Sequence, residues 1–186
     1  QKYIQEIFTG KSGAVVVMDA KNGEILSAAS FPEFDNNIFA RGISVKEWNE
    51  MRNDFNHPFT NKIINGLYPP GSVIKMGVAL AFLDNGIKDN FTVNCSGSIT
   101  IGNRNFRCWK SSGHGTVNFR KAIAESCDDF FYKGSLKIGI NKISQTLDKL
   151  GFGQQTGIDQ INEFLGVNPN KEWKEKKYNQ PWYVGE

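Results

Sequence analysis

The sequence predicts a mixed α/β (α+β) fold, and three stretches carry that reading. A β-branched run, Ala14-Val-Val-Val-Met-Asp19, is followed by Asn22-Gly23 and a second apolar segment, Glu24 to Ala29. A long apolar stretch, Ser72 to Asn85, has helical length and composition. Three further helical segments then run from about Phe119 to Leu150. Strands at the start with helices after them define the class.

The first run is short and almost wholly apolar, so it predicts a buried strand. Asn22-Gly23 is the strongest short hairpin signal, and it makes residues 14–29 a β-hairpin. Phe31 to Pro70 is rich in Asn, Pro and aromatics and predicts an irregular segment, with a turn or two of helix around Val45 to Met51. Tyr68-Pro-Pro-Gly71 breaks the chain ahead of the Ser72–Asn85 helix, and Asn85-Gly86 stops it. That helix is apolar nearly all round, which predicts central burial. Phe91 to Lys110, with Gly97, Gly102 and Asn103 as turn formers, reads as a small hairpin. Helices are expected at about 119–125, 129–138 and 141–150, the last stopped by Gly151. The basic, aromatic tail from Lys171 to Tyr183 reads as a solvated loop carrying a few packed aromatics.

At 186 residues and 39% apolar composition, the chain can bury one real core. A net charge of +3 gives no support for nucleic acid or an anionic membrane as partner. No apolar run approaches the roughly 20 residues a spanning helix needs. The chain opens on Gln1 and shows no leader peptide, so the expectation is a piece of a longer protein.

Ser72 alone among the serines has a lysine three residues on, Lys75. In a helix that spacing puts hydroxyl and ammonium on one face. A serine hydroxyl is a weak nucleophile until a neighbouring base takes its proton, and a neutral lysine is such a base. An apolar helix disfavours the charged lysine, and so does the positive end of the helix dipole. The plainer reading is a capping serine beside a lysine whose stem covers apolar surface. A second element, Ser126-Cys127-Asp128, lies 54 residues further on, and no other serine has Asn or Asp two residues later. Its hydroxyl is suited to relay a proton to a leaving amine, and Asp128 to hold the lysine or orient substrate. The alternative is a cap for the helix that follows.

S-x-x-K followed by S-x-D resembles the penicillin-recognising serine enzymes, whose third motif is K-T-G. More narrowly, the chain is similar to the class B penicillin-binding proteins of the elongation-type penicillin-binding protein 2 group. Gly13 to Glu24, Tyr68 to Ser72, Glu125 to Asp128 with Phe131-Tyr132, Gly151 to Gly153 and Thr156 to Asp159 carry that resemblance, as do Glu172 to Lys174 and Pro181 to Tyr183. It implies a transpeptidase fold with a five-stranded antiparallel sheet and a helical subdomain, here the N-terminal part of one domain with the later strands missing. It implies Ser72 as acylated nucleophile, Lys75 as base, and Ser126 with Asp128 on the second wall of the cleft. The substrates would be peptidoglycan stem peptides ending in D-Ala-D-Ala, cross-linked through a Ser72 acyl-enzyme, with no cofactor for catalysis and with β-lactams trapping that intermediate. It further implies an anchor in the bacterial inner membrane, action at its periplasmic face, a RodA-type glycosyltransferase partner and the scaffold MreC. A β-lactamase or D,D-carboxypeptidase shares the first two motifs, and a β-lactam sensor or non-catalytic scaffold is the contrasting class.

K-T-G is absent after Ser126, and Lys11-Ser12-Gly13 stands on the wrong side of the order. That strand supplies one wall of the cleft and an oxyanion-hole N–H, and losing one such donor costs about a hundred- to a thousand-fold in rate. The chain ending at Glu186 is therefore expected to be inactive by itself.

Cys95, Cys108, His114 and Cys127 follow the spacing C-x12-C-x5-H-x12-C. Three thiolates and an imidazole suit tetrahedral zinc. A Cys95–Cys108 disulfide with Cys127 as a buried thiol is the alternative, favoured by an oxidising compartment. The odd cysteine count and nearby His114 favour a structural metal, and the resemblance adds to this, since some elongation-type members carry zinc here. His57, before Pro58, reads as a surface residue.

Overall fold

A computed structural model describes residues 1–186 and resolves the chain into two compact units. The first comprises residues 1–68 and 157–164, the second residues 69–156 and 165–186.

The first unit opens with a helix, α1 (Lys2–Phe8), which the sequence reading did not anticipate. Strands β1 (Gly13–Met18) and β2 (Ile25–Phe31) pair antiparallel across the turn that Asn22-Gly23 predicts. Ile4, Ala29 and Phe31 form a small core with Phe8 and Val15, and the Phe8 and Phe31 rings stack at 4.7 Å. β1 is not the buried strand its composition predicts: Val16, Val17 and Met18 are all exposed. A sheet buries a strand fully only when both faces are covered, and the core beside this hairpin is small. The irregular segment carries α2 (Asn37–Ala40) and α3 (Val45–Arg52). Ser44 and Glu47 close a reciprocal capping box on α3. The returning residues 157–164 join this unit through the Phe164 N–H, which donates to the Ile64 carbonyl at 2.8 Å. His57 is exposed.

The second unit carries the larger core. A 3₁₀ turn, Gly71–Ile74, leads into α4 (Lys75–Asp84). Strands β3 (Thr92–Cys95), β4 (Ser98–Ile101), β5 (Arg104–Arg107) and β6 (Gly115–Asn118) follow. Then come α5 (Phe119–Ala124), α6 (Asp128–Ile138), α7 (Ile140–Lys149) and α8 (Lys171–Tyr178). The single small hairpin expected over residues 91–110 is nested: β4 pairs with β5, while β3 reaches past both to pair with β6. The five-stranded sheet is not present within these residues, where every sheet has two strands.

Phe82 is fully buried at the centre, ringed by Phe119, Phe130 and Phe131 at centroid separations of 5.9 to 6.4 Å. Gly134 on α6 lets that ring approach, since a Cβ there would lie 2.1 Å from a Phe82 ring carbon. α4 is only half buried, against the expectation of central burial: Ala79, Ala81 and Phe82 face inward while Met76 and Leu80 are exposed. Its buried side faces α6 and α7, and apolar composition all round does not require cover all round. The tail is not a loop. Asn170 caps α8 by accepting from the Trp173 N–H, and buried Lys174 pairs with Glu186 under the rings of Trp182 and Tyr183.

Phe82→Ala should lower the unfolding free energy by about 3–5 kcal/mol, measured by denaturant titration. A loss below about 1 kcal/mol would show that this ring does not hold the core.

Candidate active site

The two elements singled out in the sequence meet in the second unit. Pro70 and Gly71, the latter at φ +57°, turn the chain so that Ser72 lies in the 3₁₀ turn and Lys75 begins α4. Ser72 is exposed and open to a reactant. Ser126 and Asp128 come from the junction of α5 and α6.

That junction is a left-handed helix stop. The Cys127 N–H donates to the Ala122 carbonyl at 3.0 Å, and the Ser126 N–H to the Ile123 carbonyl at 3.3 Å. Those paired bonds end a helix with a residue in the left-handed region, a place glycine usually takes. Ser126 takes it at φ +51°, at a cost of about 1–2 kcal/mol. In return its carbonyl and its hydroxyl both face Lys75. Nζ of Lys75 donates to the Ser126 carbonyl at 2.9 Å and to its Oγ at 3.0 Å, and pairs with Asp128 Oδ1 at 2.5 Å. Ser126 Oγ lies 3.0 Å from Ser72 Oγ.

Ser72 and Lys75 are linked through an intermediary: Ser72 reaches Lys75 by way of the Ser126 hydroxyl. Asp128 forms an ion pair with Lys75, side chains 23% and 12% exposed.

Asp128 is held on its other oxygen. Oδ2 accepts from the Trp109 backbone N–H at 3.0 Å, and the Trp109 indole N–H donates to the Glu125 carbonyl at 2.9 Å. Neither Trp109 nor Glu125 carried a role in the sequence reading. Their adjacency to Cys108 and Ser126 was the only available signal.

The cysteine cluster adjoins this network, with Cys108 next to Trp109 and Cys127 between Ser126 and Asp128. Cys95, Cys108, His114 and Cys127 are all buried, the thiols are free, and the four ligand atoms lie within 4.8 Å of one another. Nδ1 of His114 is 3.5 Å from Sγ of both Cys95 and Cys108. Zinc bonds of about 2.3 Å to sulfur and 2.0–2.1 Å to nitrogen place tetrahedral N and S ligands about 3.6 Å apart, so the set fits that ion. Burial pushes the Cys127 thiol up to about 12, with Cys95 and Cys108 adding to the rise. Burial also opposes the Cys108 thiolate, but backbone N–H groups of Lys110, Asp129 and Asp128 outweigh it and pull that thiol below its usual value. Burial likewise raises Tyr132.

Lys11-Ser12-Gly13 belongs to the first unit, where the Ser12 hydroxyl donates to the Phe31 and Asn56 carbonyls.

The site thus holds an exposed serine wired through a second serine to a paired lysine. The penicillin-binding protein transpeptidase domain family matches residues 13–181, and the chain belongs to it. Among its relatives, the peptidoglycan D,D-transpeptidase MrdA of Escherichia coli is 39% identical over 189 residues, covering 100% of this chain and 30% of that protein. The chain thus spans less than a third of that relative's length. The penicillin-binding protein PBP2 of Helicobacter pylori, solved in complex with MreC, superposes with a TM-score of 0.94 at 49% identity, over 99% of this chain and 35% of that one. Pseudomonas aeruginosa PBP2, solved with WCK 5153, superposes with a TM-score of 0.91 at 36% identity, over 99% and 41%. These matches bear out the transpeptidase fold and the resemblance to the penicillin-binding protein 2 group.

Asp128→Ala removes one partner of a partly buried ion pair. It should cost about 1–3 kcal/mol of stability, less than the 3–5 of a fully buried pair because water reaches this one. Chemical denaturation measures it, and no loss would mean that the Ser126 acceptors alone hold Lys75.

Proposed function

We propose that this chain is the nucleophile-bearing, N-terminal part of one transpeptidase domain in a peptidoglycan D,D-transpeptidase that cross-links the wall during elongation. The chain of hydrogen bonds from Ser72 through Ser126 to Lys75 and Asp128 carries the reading.

Ser72 Oγ attacks the carbonyl carbon of the penultimate D-Ala in a stem peptide. Its proton passes along Ser126 to Lys75. The tetrahedral intermediate collapses, the C–N bond breaks, and the terminal D-alanine leaves as an amine that takes the proton back through Ser126. An amine on a second stem attacks the Ser72 ester, gives its proton to the same relay, and frees the serine. A β-lactam acylates Ser72 by the same attack, but its leaving amine stays tethered within the opened ring. No K-T-G follows Ser126 within residues 1–186.

Cys95, Cys108, His114 and Cys127 would hold a structural zinc. A closed site of four protein ligands leaves no position for catalysis, and bound zinc would deprotonate the Cys127 thiol that burial pushes up. The geometric fit supports the metal over a Cys95–Cys108 disulfide.

The site is placed at the periplasmic face of the bacterial inner membrane, because peptidoglycan lies outside the cytoplasm. No helix of the chain is long and apolar enough to cross a membrane. MreC and a RodA-type glycosyltransferase are the proposed protein partners. The MreC complex of the Helicobacter pylori relative supports the first.

Intact-mass spectrometry of the full-length protein with a β-lactam, run denatured and native, tests both readings. We expect one covalent adduct, lost in Ser72→Ala, and a native mass heavier by one zinc. A rapidly hydrolysed β-lactam would favour a β-lactamase. No adduct at all would overturn the catalytic reading in favour of a non-catalytic module.

A further inference from the structure

His114 presents two nitrogens to two different neighbours. Nδ1 faces the sulfurs of Cys95 and Cys108. Nε2 is fully buried and has no hydrogen-bond partner, and the nearest carboxylate oxygen, Glu125 Oε2, lies 3.9 Å away. A buried donor left without a partner costs about 1–3 kcal/mol, so the orphaned nitrogen calls for an acceptor. Glu125 is 42% exposed and free to adjust. A small rotation, or one bridging water, closes the gap.

Glu125 is also fixed at its main chain. Its carbonyl accepts the Trp109 indole N–H, and the Trp109 ring packs edge-on to His114 at 5.3 Å. Its C-terminal neighbour is Ser126, the strained relay residue. On the other side of His114, Lys121 Nζ donates to the His114 carbonyl at 2.7 Å. One residue therefore touches the histidine of the cysteine cluster by its side chain and the catalytic wall by its backbone.

We propose that Glu125 is a positioning residue that accepts a hydrogen bond from His114 Nε2–H, fixes the imidazole with Nδ1 toward the metal, and so ties zinc occupancy to the Ser126 turn. The inference rests on the zinc reading above. A metal-bound imidazole commonly donates its other N–H to a carboxylate, which fixes the tautomer and strengthens the ligand, and losing that carboxylate typically weakens metal binding about 10–100-fold. The side chain's exposure makes it replaceable without emptying the core.

The test compares the wild-type protein with Glu125→Gln and Glu125→Ala, using zinc and a competing chelator to measure affinity. We expect a 10–100-fold weaker zinc affinity in both variants. A cobalt(II)-loaded sample supplies a second readout that general destabilisation would not move. The shifted Nε2–H resonance of His114 should exchange slowly with water in the wild type and rapidly in the variants. Affinities within about twofold of wild type, or unchanged exchange, would overturn the role of Glu125 while leaving the zinc reading intact. A wild-type protein that takes up no zinc would overturn the zinc reading, and this inference with it.

Discussion

The side-chain nitrogen of Lys75 organises the second unit. It is drawn into a partly buried position by three acceptors from one short stretch, the carbonyl and hydroxyl of Ser126 and the carboxylate of Asp128. Those acceptors converge only because α5 ends in a left-handed residue. A right-handed continuation would have carried the Ser126 carbonyl along the helix axis. The strain of about 1–2 kcal/mol at Ser126 is thus the condition for the ion pair. The ion pair in turn joins α4 to the α5–α6 junction across 51 to 53 residues of sequence. Ser72 is held to the same network by a single hydrogen bond.

Strain at a turn persists only where the surroundings over-determine it. Here they do so from two sides. Cys127 is fully buried immediately after Ser126, and its N–H closes the helix stop. Trp109, next to Cys108, donates one bond to Asp128 and another to Glu125, the residues flanking the Ser126–Cys127 pair. The buried cluster and the Ser126 turn therefore share a backbone, and what orders the cysteines orders the serine.

Much of this was legible in the sequence, for identifiable reasons. The hairpin followed from Asn22-Gly23 and β-branched residues, and α5, α6 and α7 from local pattern and stops, because those signals are short-range. Ser72, Lys75, Ser126 and Asp128 were legible as a chemistry of residue types, and the structure brings all four together. The intermediary position of Ser126 was not, since it depends on a left-handed turn that a serine disguises. The pairing of β3 with β6 was hidden because each strand is only four residues long and the partners are separated by a complete inner hairpin. Burial was overestimated for β1 and α4 for a common reason. Composition reports what could be covered, and it does not say how many layers are there to cover it. Trp109 and Glu125 were missed because their roles are set by main-chain atoms and by a neighbour's orphaned nitrogen, which residue type does not encode.

In the proposed mechanism Lys75 takes the Ser72 proton as well as holding the Ser126 turn in place. Lys75→Arg separates these roles, since guanidinium keeps the charge and the pairing with Asp128 but cannot be deprotonated in a protein. The direct measurement is the second-order rate of β-lactam acylation of the full-length protein, wild type against Lys75→Arg, with folding checked by thermal denaturation. A folded variant acylated about 10²–10⁴-fold more slowly is the predicted result. A folded variant acylated at close to the wild-type rate would contradict it and leave Lys75 a structural cation.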